Sequence, residues 1–327
     1  MLRYIVKRLV YVCFVLAMVS AILFGIFKLV PGDPAAIMTE GQRMSLEPAE
    51  YQELYQKTRE QLGLDDPLVV QYFSWVGMML QGDLGYSIIH KKPVLDVIGV
   101  PMSNTIKLNL LTMILTFAIT IPLGITTAVK KYSAYDNTVQ VLSVVGYSIP
   151  SFIVGLVFIC IFSVILGIFP ISGTMTAGTT AEGWDLTVDK LRHMALPVIV
   201  MTFGSLGGIT RYVRGAMIEA LQMDYIRTAR AKGLKEKVVI YVHAFRNSMV
   251  PLVTITTSWM VGLFGGSVII ESIFSWGGMG NLLVTSLRQQ DYSVAMALQI
   301  FFVLLVLLGN VIMDIGYCLV DPRVKFE

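Results

Sequence analysis

Between residues 224 and 239 the chain reads DYIRTARAKGLKEKVV, three lysines and two arginines in sixteen residues with long apolar stretches on both sides. Residues suited to bond-making chemistry are sparse elsewhere. His90, His193 and His243 are far apart in the chain. No phosphate-binding GxxxxGK[ST] loop, no HExxH and no GxSxG occurs. Cys13, Cys160 and Cys318 each fall inside an apolar run without metal or disulfide spacing, and read as small apolar packing residues. GSLGG at 204–208 is glycine-rich, but it also lies inside an apolar run, where close helix packing explains it better than phosphate binding. The chemistry open to 224–239 is therefore recognition: contact with another protein surface or with anionic lipid.

The elements that must position this segment are apolar. The chain of 327 residues is 55% hydrophobic and 14% charged, with a mean hydropathy of +0.70. Soluble domains carry about 25% charged residues, so the composition is that of an integral membrane protein. Six runs are long enough to cross a bilayer as helices, which takes about 20 residues. They lie at 9–30, 104–129, 138–168, 195–213, 250–271 and 294–320. The first is too long for the apolar part of a signal peptide and reads as a retained span. Pro150, in SIPSF, predicts a kink in the third.

Lysine and arginine bias sets the orientation. With the N-terminus inside, the inner segments hold fifteen of the 25 basic residues, and segment 31–103 outside holds five basic and ten acidic residues. This divides the chain into a cytoplasmic N-terminus (1–8), a first span (9–30), an extracytoplasmic segment (31–103), a core of five further spans (104–320) and a cytoplasmic tail (321–327). The core carries a cytoplasmic loop at 214–249. In the outer segment, SLEPAEYQELYQKTREQLGLDDP predicts a soluble helix capped by Ser45, with Pro48 in its first turn and Gly63 ending it. VVQYFSWVGMML (69–80) is apolar, but as a helix it covers only about 18 Å. It reads as an interfacial helix, with a small buried core helix as the alternative. Tyr72, Phe73, Trp75 and Trp276 are expected at the outer interface. Asp314, Glu271 and Lys107 lie near span ends, close to water or headgroups, and form no strong ion-coupling signature.

Two readings of 214–249 stand on the residues alone. MDYIRTARAKG has good helix formers followed by Gly233, which suits a left-handed helix end, and KEKVVIYVHAF can restart a helix. Tyr225, Thr228, Ala229 and Lys232 share a face, and the small Ala229 would let a partner surface approach. The alternative is a basic loop that sets topology or touches anionic lipid.

The segment resembles the cytoplasmic EAA loop of ABC importer permeases, in the form found in the oligopeptide and dipeptide permease family. DYIRTARAKGL followed by HAFRNSMVPLVT is similar to that family's pattern. So, in order, are RYIVKRLV, LVPGDPA (29–35), GDLGYS (82–87), PVLDVI (93–98), SIPSFIVGL (148–156), ESIFSWGGMGNLL (271–283) and LVDPRV (319–324). The resemblance covers essentially the whole chain and implies an all-α integral membrane protein with six transmembrane helices in the type I ABC importer permease fold. It implies a first-permease subunit paired with a second homologous permease, two ABC ATPase subunits beneath, and an extracytoplasmic peptide-binding protein above. ATP and magnesium would sit on the ATPases, with no cofactor, catalytic residue or metal on this chain and no nucleic acid partner. The setting implied is a bacterial or archaeal plasma membrane with both termini cytoplasmic.

Residues carried over from the family's loop are Asp224, Thr228, Ala229, Gly233 and Leu234. The general importer motif has a glutamate six residues before the central glycine, where this chain has Arg227, and a proline thirteen residues after it, where this chain has Arg246. Both departures suit the peptide-permease branch, and Glu219 does not replace the missing glutamate. The same architecture carrying nickel, haem or another small solute is the alternative. A proton-coupled carrier using Asp314 and a structural or receptor subunit are the readings from other classes.

The charge bias predicts that a cysteine placed at Gln56 labels from outside intact cells, and one at Lys235 labels only after permeabilisation. The reverse pattern would overturn the orientation.

Overall fold

The structure, a computed structural model, describes residues 2–30, 32–248, 256, 259 and 262–320, with side chains from Val6 to Val311. The expected span at 250–271 lies mostly outside the described residues, as do the side chains of Asp314 and Cys318. The chain forms two compact units. One comprises residues up to Pro101 with Leu282–Leu304, and the other comprises Met102–Asn281 and residues from Leu305 onward.

In the first unit, α1 (Leu2–Leu29) is the retained apolar helix. Asp33 starts the next element: its carboxylate accepts from the Ala35 N–H at 2.9 Å and so caps α2 (Pro34–Thr39). Pro34 sits where its missing N–H costs nothing. The same carboxylate pairs with Arg59 of α3 (Pro48–Gln61) at 2.8 Å and accepts from the Tyr55 hydroxyl. GDP in the sequence is thus a helix cap and an anchor for α3 at once. The soluble helix begins later than Ser45 predicts: Glu47 is its N-cap and makes no side-chain cap bond, because Pro48 supplies the start. Gly63 ends it at φ +61°.

Helix α4 (Leu68–Leu80) has no buried residue, so the buried-core alternative is not what forms. Its Tyr72 and Trp75 rings lie 5.6 and 5.8 Å from Phe24 of α1, and Tyr72 hydrogen-bonds Ser20 at 2.8 Å. A two-residue antiparallel pair, β1 (Tyr86–Ser87) with β2 (Lys92–Pro93), closes the segment.

In the second unit the membrane helices exceed the apolar runs that predict them. Helix α5 spans Val94–Val129 and α8 spans Gly183–Gln222, against expected spans of 104–129 and 195–213. The third span is broken. Helix α6 (Ala134–Ser148) and α7 (Ser151–Phe158, continuing as a π-helical turn through Ile165) meet at 95°. Ile149 is extended (ψ 125°), as a residue before proline must be. Pro150 therefore makes a corner rather than a kink. Counting the bent pair as one span, five crossings are long and apolar enough among the described residues, four of them single helices. The last is α13 (Tyr292–Val320).

Glycine lets these helices touch. A Cβ on Gly207 of α8 would stand 2.3 Å from the Ser143 carbonyl oxygen of α6, and one on Gly124 would meet Val213 at 2.5 Å. Close packing is thus the role of one glycine in GSLGG, whereas Gly204 and Gly208 face open space. Cys13 and Cys160 are free thiols exposed on the surface of the isolated chain, on helices of the apolar runs.

Residues 267–281 correct two further expectations. Glu271, expected near water, is fully buried on α11 (Val268–Ile273). Its carboxylate accepts from Thr105 of α5 at 2.8 Å and from the Gly280 and Asn281 N–H groups at 2.7 and 3.1 Å. Those two amides open α12 (Met279–Arg288) and have no intrahelical partner. Trp276, expected at the interface, is 2% exposed and packs on Leu108, Met194 and Val198. Its indole N–H donates to the Asn104 carbonyl at 3.3 Å. Two glycines of SWGGMG make room for this knot: a Cβ on Gly278 would fall 2.5 Å from the Thr105 hydroxyl, and one on Gly280 would fall 3.0 Å from a Glu271 carboxylate oxygen. His193 is likewise buried, with Nδ1 2.9 Å from the Asp189 carbonyl oxygen.

The glycine geometry makes a paired prediction. Gly207→Ala should overpack α6 against α8, lowering thermal stability in detergent by about 1–3 kcal/mol. Gly208→Ala, with open space around its Cβ, should be neutral or stabilising. Equal behaviour of the two variants would contradict this packing.

Candidate functional site: the helix–turn–helix at 224–244

Helix α8 ends at Gln222, and Met223 takes an extended conformation (ψ 151°) that starts α9 (Asp224–Ala231). Chain direction thus changes within one residue. The turn after α9 is built on Gly233 at φ +74°. Its N–H donates to the Arg230 carbonyl at 2.9 Å, and the Leu234 N–H donates to the Ala229 carbonyl at 3.4 Å. This is the Schellman pattern of helix closure, for which glycine has no Cβ penalty. Helix α10 (Glu236–Val238, continuing as a π-helical turn through Ala244) then starts. Arg230 clamps the two helices, its guanidinium donating to both Glu236 oxygens at 2.6 and 3.2 Å. Hydrogen bonding from Arg230 holds the Glu236 carboxyl below the usual range. The clamp is therefore intact at neutral pH and is lost only as pH falls through that lowered value.

The faces of α9 divide differently from the sequence expectation. Ile226 is fully buried and Ala229 is 5% exposed. Both join a core with Ile125 and Ala128 of α5, Val213, Met217 and Ala220 of α8, and Val239 and Ala244 beyond the turn. Ala229 is therefore small so that α9 can seat on its own chain, not to admit a partner. Tyr225, Thr228 and Lys232 do face outward, joined by Met223 and Leu234. Asp224 is exposed at the start of the helix, 3.6 Å from Arg227, and its carbonyl accepts from the Thr228 hydroxyl at 3.1 Å. The outward surface is three apolar or amphipathic side chains set among exposed basic residues, with no buried titratable group on that face and no metal-ligating cluster among the described residues.

Sequence reasoning missed what holds the base of this element. Asp136 of α6 is buried and takes a bidentate pair from Arg214 of α8, at 2.7 and 2.6 Å. The Tyr132 N–H adds a third bond at 2.9 Å, and Ser133 caps α6 by accepting from the Asp136 N–H at 3.2 Å. The signal was available as Ser133-x-x-Asp136, a capping pattern ahead of an apolar run. Ile226, the lone large aliphatic residue in DYIRTARA, was legible too.

The family profile described as "Binding-protein-dependent transport system inner membrane component" matches residues 120–326. That described as "Binding-prot-dependent transport system membrane comp, N-term" matches residues 1–109. The oligopeptide transport system permease protein AppB of Bacillus subtilis (strain 168) is 39% identical over 327 residues, covering all of both chains. The di/tripeptide transport system permease protein DppB of Pseudomonas aeruginosa (strain UCBPP-PA14) is 34% identical over 341 residues, again covering both chains completely. Among solved structures, a chain from inward-facing MetNI methionine ABC transporter crystals has a TM-score of 0.52 at 19% identity, covering 68% of this chain and 94% of that one, which shows a shared fold. This multi-pass membrane chain belongs to the family of binding-protein-dependent transport system inner membrane components, the permeases of ABC importers.

Proposed function

We propose that the chain is the peptide-conducting permease subunit of an ATP-driven importer and that α9 with its Gly233 turn is where ATPase motion enters the membrane helices. The peptide substrate is supported by the names of full-length relatives, an oligopeptide and a di/tripeptide permease. A second homologous permease completes the pathway, two ATPases carry ATP and magnesium, and an extracytoplasmic binding protein delivers the peptide. The family description supports a cell (inner) membrane setting, and the charge bias favours both termini cytoplasmic, residues 31–103 outside and 214–249 inside.

The observation that carries the coupling reading is the division of α9. Its inner face is buried with α5 and α8, and its outer face keeps Met223, Tyr225 and Leu234 exposed among basic residues. Exposed apolar groups rimmed by polar ones suit a protein partner. A push on the outer face reaches α8 through packed side chains, since a close-packed core transmits displacement. Asp224 and Thr228 present the start of α9, Ala229 seats it, and Gly233 with Leu234 closes it. A loop that only sets topology by charge has no need of a buried Ile226 or a Schellman turn.

The test is Gly233→Val, which forces a β-branched residue into a left-handed conformation at a local cost of about 1–3 kcal/mol and keeps every charge. Ala229→Trp should unseat α9 by overpacking. Both variants should reach the membrane and pair with the second permease, yet lose most peptide uptake and the stimulation of ATP hydrolysis by loaded binding protein. Full uptake by both variants would refute the coupling assignment.

Breaking the base should also uncouple. Asp136→Ala leaves the partly exposed Arg214 without its partner, a loss of about 1.5–3 kcal/mol for charge-assisted hydrogen bonds, and should lower uptake together with thermal stability. Unchanged stability in detergent would contradict the bidentate pair.

A further inference from the structure

The second unit contains a concave cavity of about 400 Å³, within the roughly 300–1,000 Å³ of small-molecule sites. Helix α5 contributes Asn109 and Thr112 to its lining, α7 contributes Ser151, and α8 contributes Gly204 and Ser205, with Trp259 across from them. No charged side chain is among the described lining residues. Two long apolar helices and the second arm of the broken span thus turn neutral hydrogen-bonding groups toward one space. In lipid, such groups are disfavoured unless they have partners.

The lining is organised rather than incidental. Asn109 Nδ2 donates to the Gly262 and Leu263 carbonyls at 3.2 and 2.9 Å, which leaves Oδ1 as its uncommitted acceptor among the described residues. Thr112 donates to the Leu108 carbonyl and Ser205 to the Met201 carbonyl, at 2.8 and 3.0 Å, so each hydroxyl oxygen keeps acceptor capacity. A Cβ on Gly204 would meet nothing within 4 Å, in contrast to Gly207 one turn on, which is pressed against α6. Gly204 therefore keeps space open where its neighbour closes it.

We infer that this cavity is a substrate half-site that takes the uncharged main chain of a peptide in transit, an inference that rests on the peptide reading above. Amide and hydroxyl groups match peptide N–H and C=O groups whatever the sequence. The Trp259 ring and aliphatic walls accept varied side chains. With no charge among the described lining residues, the lining gives no reason to favour acidic over basic peptides or to hold the zwitterionic ends, so a peptide is recognised yet can leave.

The test uses the intact transporter with its partner subunits and binding protein, and measures uptake of four defined peptides. Gly204→Leu should fill the cavity while membrane level and copurification of the second permease stay normal. Uptake of diphenylalanine should fall by roughly tenfold or more, as expected when a pocket loses space for a bulky group, and dialanine should be affected less. Asn109→Asp should raise the ratio of Ala-Lys-Ala to Ala-Glu-Ala uptake above that of the unmodified protein, a readout that a merely structural role would not move. Unchanged uptake of all four peptides, or equal loss of all four with no change in charge preference, would overturn the inference. So would loss of the second permease from the Gly204→Leu complex, because the cavity would then be a seat for a partner helix. Failure of the unmodified transporter to carry any peptide would instead refute peptide import itself, before any variant is compared.

Discussion

The bidentate contact between Arg214 and Asp136 is the constraint on which the helix–turn–helix end of the second unit depends. It joins the start of α6 to α8 eight residues before α8 ends and α9 begins. A buried carboxylate without a cation is costly, so the register of the two helices cannot slide without breaking the pair. The planar guanidinium fork adds orientation that a lysine would not. Because α8 is fixed there, the extended Met223 can launch α9 in one direction, and the Gly233 turn can return the chain to the same core. Charge at this point therefore secures geometry, and apolar burial of Ile226 and Ala229 supplies the cohesion.

A second buried carboxylate organises residues 267–281. Glu271 gathers a hydroxyl from α5 and the first free amides of α12, and glycine at 278 and 280 clears the room for it. Both carboxylates follow one rule. Inside a membrane protein a polar side chain is kept where it satisfies several donors at once. Where acceptors are left uncommitted, as on Asn109 and Ser205, the arrangement suits a transient ligand instead. Fixed and transient polar contacts thus divide the work: the first hold helix ends, and the second line a space between helices.

Much of this was legible in the sequence. The apolar runs locate the long helices, because a bilayer demands length and hydropathy that few other settings do. Gly233 announces its turn, since only glycine enters that conformation freely. Pro150 announces a break, though not its 95° size, which depends on the helices packed around it. Tertiary satisfaction was not legible. Glu271 and Trp276 sit near a span end in sequence, where water and headgroups are the default partners, and nothing local shows that Thr105, from a helix 166 residues away, reaches the carboxylate first. Ala229 misled for a similar reason: small residues serve both seating and docking, and only the positions of Ile226 and Val239 decide between them.

The central claim is that the outward face of α9 meets an ATPase while its inward face holds to the membrane helices. The most direct measurement places single cysteines on the two faces of the assembled transporter, at Thr228 and at Ile226, and treats it with a short thiol-to-amine cross-linker. The account predicts a cross-linked product between Thr228→Cys and an ATPase subunit, changing in yield with ATP, and little from the buried Ile226→Cys. No ATPase product from Thr228→Cys in a transporter active for uptake would contradict it.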